Sequence, residues 1–389
     1  MDSKRSVIAN LLVLAAIGLL AAIYYSPVWW VSLTAPNYPE EAFPDGVRIQ
    51  FHMNGVFNGC KKIEKKEILE EEALDCVHEM DTINHYVGMY PIAAGGVIER
   101  AFSPFLVSML GVMLLGFTCS RPGVRMAVLG TGFAVIAVWM SLTWYGAGGL
   151  RYQNEGYISA MVTALDQDTS KETEDQSPGA ALIARLKASL EGSGPAAQEP
   201  AGESDKTGNI EHLRITFEKD QQRRPAQQRL KWNGSGEQLL SWHYEKTLGR
   251  YFNVPEEIRP MVATMTFAAN LTFWGILVAM GLLLFGARKT GGLLYWMLVL
   301  PVLFLPLLFL IDYSGWLWWY GHRLNDMGAF TVKPFMPTVF GDGKVAQFAT
   351  HSYPSIGFGL MLLTSLLTGF AALIRRKQLA GNGRHERVA

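Results

Sequence analysis

Charged residues are spread unevenly along the chain, and six long apolar stretches contain almost none of them. These stretches are Val7–Tyr25, Phe102–Cys119, Met126–Trp144, Met261–Gly286, Leu293–Tyr313 and Ile356–Ile374. A helix needs about 20 apolar residues to cross a hydrocarbon core about 30 Å thick, and each stretch comes close to that length. The pattern predicts an all-α polytopic membrane protein with six transmembrane helices. The first stretch lacks a small-residue cleavage pattern, so we expect residues 1–25 to be retained as an anchor.

Lysine and arginine occupy the short connections between these helices, and their positions predict the orientation. The basic residues in question are Lys4, Arg5, Arg121, Arg125, Arg288, Lys289, Arg375, Arg376 and Lys377. All of them face the cytoplasm if both termini, including the tail 375–389, are cytoplasmic. The long polar segments 26–101, 145–260 and 314–355 then face the periplasm, across what we expect to be a bacterial inner membrane. We call them the first, second and third outer segments.

The first outer segment contains a clear strand pattern. Apolar residues alternate with polar ones over Gly46–Gly55, and the stretch ends in an Asn-Gly pair. Such alternation predicts a half-buried strand, and Asn-Gly predicts a hairpin turn. On this strand His52 lies on the polar face and Met53 on the packed face. The third outer segment is rich in turns and poor in charge, so we expect it to pack on the first as a small mixed α/β cap.

The second outer segment differs in composition. It predicts an amphipathic helix over Ala180–Leu190, a disordered linker over Glu191–Gly208, a strand over His212–Phe217 and a helix over Glu237–Tyr251. We expect this segment to be partly disordered and to contain no independently folded catalytic domain.

Composition and motifs exclude several classes of protein. Only 17% of the residues are charged and the formal net charge is zero. The chain contains no Walker A, GxSxG or HExxH sequence, which removes the usual ATPase and hydrolase signatures. It contains no CxxC or CxxCH motif, and no histidine lies within the six apolar stretches, which argues against haem. We expect a protein that is not an enzyme and that has the lipid bilayer, but no nucleic acid, as a partner.

Cysteine usage leaves three possibilities open. Cys60 and Cys76 lie in the first outer segment, where an oxidising compartment makes a disulfide the default. Free or metal-binding thiols and unpaired inert thiols are the alternatives. Cys119 lies at the inner end of the second predicted helix and is expected to be an ordinary thiol.

Donors that suit a soft metal are concentrated on the predicted outer side. His85 and Met89 lie four residues apart in the stretch Asp81–Ile92. Further donors on the same side are His52, Met53, His322 and His351. Imidazole and thioether groups suit Cu(I), so copper is the one cofactor that the sequence suggests. A hydrogen-bonded structural role for His85 is the alternative.

Parts of the chain also resemble a known group of proteins. Leu33–Pro39, Val47–Met53, Ile83–Met89 and Pro334–Phe348 are similar to segments of poorly characterised multi-pass membrane proteins from nitrous-oxide-reductase-type gene clusters, which also encode copper-delivery factors. The resemblance covers the first and third outer segments, but not the second outer segment or residues 61–77. It implies a role in assembling a copper enzyme, or in supplying it with copper or electrons.

Three functions are consistent with these observations. The first is an accessory factor for a copper-dependent redox enzyme, and the second is a metal-free structural subunit of a membrane redox complex. The third is a small-molecule permease, for which Asn270, Pro301 and Pro306 within the apolar stretches are the only indications.

Overall fold

The computed structural model describes most of the chain. The described residues are 2–36, 38, 40, 43–61, 75–86, 92–174, 203–248, 254–322, 336–345 and 347–385. The predicted helix over Ala180–Leu190 therefore falls wholly outside this part of the chain.

Helices make up most of the described structure, and a small sheet accompanies them. The helices are α1 (Asp2–Tyr25), α2 (Cys76–Tyr86), α3 (Val97–Thr118), α4 (Pro122–Tyr145), α5 (Glu155–Glu174), α6 (Glu203–Gln222), α7 (Gly236–Leu248), α8 (Pro255–Gly286), α9 (Leu293–Trp296), α10 (Leu300–Leu303), α11 (Leu305–His322) and α12 (Ile356–His385). The strands are β1 (Trp29–Thr34), β2 (Val47–His52), β3 (Gly55–Asn58), β4 (Gly341–Val345) and β5 (Phe348–Pro354).

Five helices are long and apolar enough to cross a membrane, which indicates a membrane protein. Within the described residues these spans are Ser6–Tyr25, Val97–Thr118, Pro122–Tyr145, Glu256–Gly286 and Ile356–Ala380. They coincide with five of the six apolar stretches of the sequence. Many of their large apolar side chains are exposed, as expected of surfaces that face lipid.

The sixth apolar stretch, Leu293–Tyr313, is not one continuous helix, which corrects the prediction. It is divided among α9, α10 and the first half of α11. Pro301 and Pro306 lack the N–H that a helix interior requires, and Phe304 between the helical pieces has non-helical backbone angles. Two prolines five residues apart therefore interrupt a stretch whose hydrophobicity alone predicts a complete span.

The basic connections gather at one end of the helical bundle. Arg125, at the start of α4, donates a hydrogen bond to Thr290 Oγ1 at 2.7 Å, just after α8. Arg375 of α12 donates to Ser120 Oγ at 3.2 Å, in the turn between α3 and α4. Three parts of the chain that the charge pattern assigns to one side of a membrane therefore lie together.

The sheet lies at the other end, where α1 ends and α12 begins. It is antiparallel with the order β3-β2-β1-β5-β4, so that β1 is central. Ser32 of β1 pairs with Arg48 on one side and with His351 on the other. The first and third outer segments are thus joined by backbone pairing. The predicted hairpin is confirmed, since β2 and β3 are connected through Asn54.

One face of the sheet packs on the bundle through aromatic side chains. Trp29 is 1% exposed, and its ring centroid lies 5.5 Å from that of Tyr313 in α11 and 5.5 Å from that of Phe358 in α12. Its indole Nε1 donates to Ser352 Oγ at 2.9 Å. Aromatic contacts of this kind add to the area that they bury, so the sheet is firmly attached to the helices.

The second outer segment contains more helix than the sequence predicts. His212–Phe217 lies within α6, so the predicted strand is wrong, and residues 203–208 of the predicted linker are helical. Leu213 and Phe217, four residues apart, are both fully buried, whereas Ile215 is 45% exposed. That spacing is helical. The predicted helix near Glu237 is confirmed as α7.

The second outer segment also contacts the sheet. Asn54 Nδ2, in the turn of the hairpin, donates to Asn154 Oδ1 at 2.8 Å, just before α5. The same oxygen accepts a hydrogen bond from the backbone N–H of Gly156 at 2.9 Å. The second segment therefore belongs to the same folded unit as the hairpin.

Candidate functional site

His351 lies in β5 on the polar face of the sheet, and both of its ring nitrogens have partners. Nδ1 lies 2.6 Å from Asp342 Oδ1 in the neighbouring strand β4, and Nε2 lies 3.3 Å from Thr34 Oγ1 in β1. The hydrogen bond to His351 holds the pKa of Asp342 below its usual range. This arrangement fixes the orientation of His351 within the sheet.

His52 and Met53 are neighbours at the end of β2, but their side chains have different surroundings. The His52 ring packs edge-on against Phe57 with the centroids 5.0 Å apart. Burial lowers the pKa of His52, although a hydrogen bond to the backbone of Tyr25 opposes this. Burial therefore favours the neutral imidazole. Met53 packs instead against the core of the helical bundle, in agreement with the predicted alternation.

The sheet keeps His52 and His351 apart. Arg48 lies two strands across from His351, and His52 lies four residues further along the same strand as Arg48. With about 4.8 Å between strands and about 3.4 Å per residue, the two Cα atoms are roughly 17 Å apart. Nitrogen ligands bind a metal at about 2 Å. The structure therefore does not bring these two histidines to one metal ion.

His322 lies at the end of α11. Its ring stacks on Trp318 with the centroids 4.4 Å apart, and Nδ1 lies 2.7 Å from the carbonyl oxygen of Trp318. The side chain is exposed. His322 lies nine residues beyond Tyr313, which contacts Trp29 of the sheet, and it has local partners on its own helix.

The disulfide alternative for the cysteines is the one that the structure contains. Cys60, just after β3, is bonded to Cys76 at the start of α2, with the Cα atoms 6.0 Å apart. Cys76 is fully buried together with Val77 and Met80, which face β2 and β3. The bond therefore attaches α2 to the hairpin. Cys119 is the free cysteine.

A buried carboxylate closes the segment that carries His85 and Met89. Asp81 in α2 is 0% exposed, and its Oδ1 accepts hydrogen bonds from the backbone N–H groups of Ile92 at 2.5 Å and Ala93 at 3.3 Å. The chain therefore leaves α2 and returns to it within 11 residues. His85 is in the last turn of α2, but its side chain and all of Met89 lie outside the described residues.

A metal site is not evident among the residues that the structure describes. Across the described residues there is no group of three or more histidine, cysteine, aspartate or glutamate side chains that could hold a metal ion. Of the six predicted ligands, His52, Met53, His322 and His351 are therefore distributed over the sheet and α11. The pair His85 and Met89 remains a prediction.

The polar face of the sheet borders an open groove of about 790 Å³. Its walls include Trp30, Tyr38, Asp45, Arg48, Lys344 and His351. The Arg48 guanidinium lies 4.0 Å from the ring centroid of Trp30, and Asp45 forms salt bridges with Arg48 at 3.8 Å and with Lys61 at 2.8 Å. Both signs of charge and exposed aromatic surface are therefore present in one concave region.

Sequence reasoning did not single out the acidic residues that organise these regions. Asp45 and Asp342 lie in turn-rich stretches, where acidic residues are common and carry little information. The only signal for Asp342 is the alternation that places it opposite His351 once β4 and β5 are paired. Asp81 appears in the sequence only as the first residue of the candidate metal stretch.

Comparison with protein-family models, curated proteins and solved structures gives no match for this chain. Function is therefore inferred from the geometry of the molecule itself.

Proposed function

We propose that this protein is a non-enzymatic accessory factor of the bacterial inner membrane that holds a folded unit on the periplasmic side for a copper-dependent redox enzyme or its maturation factors. The observation that carries the proposal is the five-stranded sheet, which joins the first and third outer segments and is attached to the bundle by Trp29. A rigid unit mounted in this way presents a constant surface to a partner. The resemblance of these two segments to proteins of copper-enzyme gene clusters supports the choice of partner.

The charge pattern supports the proposed orientation. Arg125 and Arg375 lie at the end of the bundle away from the sheet. Short basic connections are retained on the cytoplasmic side of bacterial membranes. The sheet end of the bundle, with both its groove and its disulfide, would then face the periplasm, where disulfides persist.

The groove is the surface on which we place the partner. Interface centres favour aromatic side chains and arginine. Trp30 and Arg48 are in contact in the wall of the groove, and Asp45 and Lys344 add opposite charges nearby. A protein segment that carries both charges would find complementary groups there.

Copurification tests the accessory role. The tagged full chain is isolated from native membranes in mild detergent, and Arg48→Glu is compared with Arg229→Glu, an exposed arginine of the second outer segment. We expect a subunit or maturation factor of a copper enzyme to be retained by the wild type and by Arg229→Glu, and to be lost from Arg48→Glu. Equal retention of the same proteins by all three chains would refute the groove as the docking surface.

Copper holding by His85 and Met89 is a second candidate, and one observation favours it. The Asp81 carboxylate closes the segment between α2 and Ile92, so both ends of the stretch that contains the pair are fixed. Fixing the ends of a short segment lowers the entropy that a chelate loses on binding. A closed loop is therefore a better holder of one Cu(I) ion than an open one.

Metal content tests the copper candidate. The purified protein is exposed to Cu(I), and bound copper is measured for the wild type, for His85→Ala/Met89→Ala and for His212→Ala, an exposed histidine of α6, as a control. We expect about one copper per chain, lost only in the double variant. Absence of bound copper from the wild type would remove the metal and leave the metal-free scaffold.

The permease alternative has less support. The Asn270 side chain donates to Glu237 Oε1 at 2.8 Å and accepts hydrogen bonds from Trp144 Nε1 at 3.0 Å and Tyr145 Oη at 2.7 Å. Its amide is thus used to join α8 to α4 and α7.

A further inference from the structure

A second cavity lies between the sheet and the helical bundle, separate from the groove. It has a volume of about 350 Å³ and is bounded by the β2–β3 hairpin, the start of α3, α11 and α12. Most of its lining is hydrocarbon or aromatic, including Phe51, Val56, Leu106, Leu308, Phe309 and Met361. An apolar cavity with a few polar groups is the usual form of a site for a small molecule.

Arg100 is the one buried cation in this lining, among the residues that the structure describes. It is 5% exposed, and its Nε donates to the carbonyl oxygen of Gly96 at 3.3 Å. Neither terminal nitrogen, Nη1 or Nη2, has a hydrogen-bond partner. Glu99 and Asp81 are close enough to interact electrostatically with this guanidinium, but its two terminal nitrogens still lack acceptors, so a group that accepts hydrogen bonds from both would be favoured.

The N-terminus of α3 also favours an anion in this cavity. The helix begins at Val97, next to Gly96, and no side chain caps it. Free N–H groups and the helix dipole favour a negative group at such an end. Arg100 and the α3 terminus therefore point to one ligand group, and the planar guanidinium suits a phosphate.

Two carboxylates also line the cavity, and they limit what the ligand can be. Glu99 and Asp312 are exposed at its edge, close enough to interact electrostatically. A ligand with only negative charge would meet their repulsion. A ligand with a phosphate and a nearby ammonium would satisfy Arg100 and the carboxylates together.

We propose that this cavity binds a phospholipid with a zwitterionic phosphoethanolamine headgroup, whose phosphate contacts Arg100 and whose ammonium contacts Glu99 and Asp312. The acyl chains leave past Leu106 and Leu308, which are 38% and 48% exposed on the lipid-facing side of the bundle. The site lies at the sheet end of the α3 span, which is the depth at which lipid headgroups occur.

Native mass spectrometry of the delipidated full-length protein tests the assignment. Phosphatidylethanolamine, phosphatidylglycerol and diacylglycerol are titrated separately, and soluble phosphoethanolamine is added as a competitor. The variants are Arg100→Met, Glu99→Gln/Asp312→Asn and Leu308→Trp, with Arg151→Met as an exposed control outside the cavity. Leu308→Trp obstructs the cavity without removing a charge, so the test does not depend on the folding of Arg100→Met.

We expect one phosphatidylethanolamine per chain, bound at least tenfold more tightly than phosphatidylglycerol or diacylglycerol. Loss of a charge-assisted contact weakens binding on the order of tenfold to a hundredfold, so Arg100→Met and Leu308→Trp should lose the lipid while Arg151→Met retains it. Glu99→Gln/Asp312→Asn should remove the preference over phosphatidylglycerol. Equal binding of diacylglycerol, unchanged binding by Arg100→Met and Leu308→Trp, or full displacement by soluble phosphoethanolamine would overturn the lipid assignment.

Discussion

Asp81 offers the sharpest test of how the candidate metal segment is held. Its buried carboxylate accepts the backbone N–H groups of Ile92 and Ala93, which lie after the segment, while Asp81 itself belongs to α2. The disulfide at Cys76 attaches α2 to the hairpin independently. Replacing Asp81 should therefore open the segment while α2 stays attached to the hairpin.

The magnitude follows from the two hydrogen bonds. Each hydrogen bond to a charged group contributes ~1.5–3 kcal/mol. The lower value applies because the Ala93 contact is long at 3.3 Å, so loss of both bonds in Asp81→Ala should favour local opening by about 3 kcal/mol. Since 1.4 kcal/mol is a factor of ten, this amounts to roughly a hundredfold in the opening equilibrium. Asp81→Asn keeps an acceptor oxygen but removes the charge, and we expect about a tenfold effect.

Amide hydrogen exchange followed by mass spectrometry measures this opening directly. Exchange at Ile92 and Ala93 should accelerate by the factors above, and copper affinity should fall in parallel if the segment holds the metal. Asp75→Ala is the matched control, because Asp75 caps the backbone of His78 at the start of the same helix and is exposed. Unchanged exchange at Ile92 and Ala93 in Asp81→Ala, with α2 still folded, would refute the reasoning.

Three further predictions concern the folded unit at the sheet end. Replacing Cys60 and Cys76 by serine should cost about 3 kcal/mol of stability, the entropy of closing a loop of this length, and should lower the melting temperature, whereas serine at the remaining cysteine should not. Burial raises the pKa of Asp220, but hydrogen bonds and nearby cations outweigh burial and hold the pKa below 3.8. The stability that Asp220 contributes is therefore complete above pH 3.8 and is lost as the pH falls further. Unfolding followed by circular dichroism should show that this pH dependence of stability vanishes in Asp220→Asn. Gly95→Ala should place a methyl group against the Trp316 ring and destabilise by ~1–3 kcal/mol in thermal unfolding, and Trp316→Ala should relieve the strain in a double-mutant cycle.

The sequence predicts those parts of the fold that have a strong local signal. Five apolar stretches are correctly predicted as candidate membrane spans, because length and composition alone identify such helices. The hairpin is predicted because Val47 and Ile49 alternate with polar residues before an Asn-Gly turn, and both are fully buried in the structure. The pairing of Cys60 with Cys76 is one of three alternatives that the sequence leaves open, since spacing cannot give the direction of the side chains.

The sequence predictions fail where one residue pattern fits two structures, or where contacts with distant parts of the chain determine the structure. His212–Phe217 alternates as a strand does, yet Leu213 and Phe217 are also one helical turn apart, and the helix is formed. Arg100 immediately precedes an apolar stretch and so reads as a solvated loop residue. In the structure α3 begins at Val97, so Arg100 lies in the first turn of this helix and its guanidinium is buried.

The candidate site is predicted less well than the fold, for a physical reason. Donor residues such as His52 and His351 can be counted in a sequence, but their separation depends on strand order, which places β5 beside β1. The Arg100 cavity is lined by residues about 200 positions apart in the chain, such as Arg100 and Asp312. No local pattern reports such contacts.

The position of β1 also determines when the protein can be complete. Trp29 of β1 is bonded to Ser352, 323 residues later, whereas its other neighbour β2 follows almost at once. During synthesis one edge of β1 therefore stays open until nearly every span has been inserted and the last strand has been delivered. Open strand edges invite pairing with other chains. Pairing with β5 therefore covers this edge of β1 only late in synthesis, and a chain truncated before β5 would leave the edge unpaired.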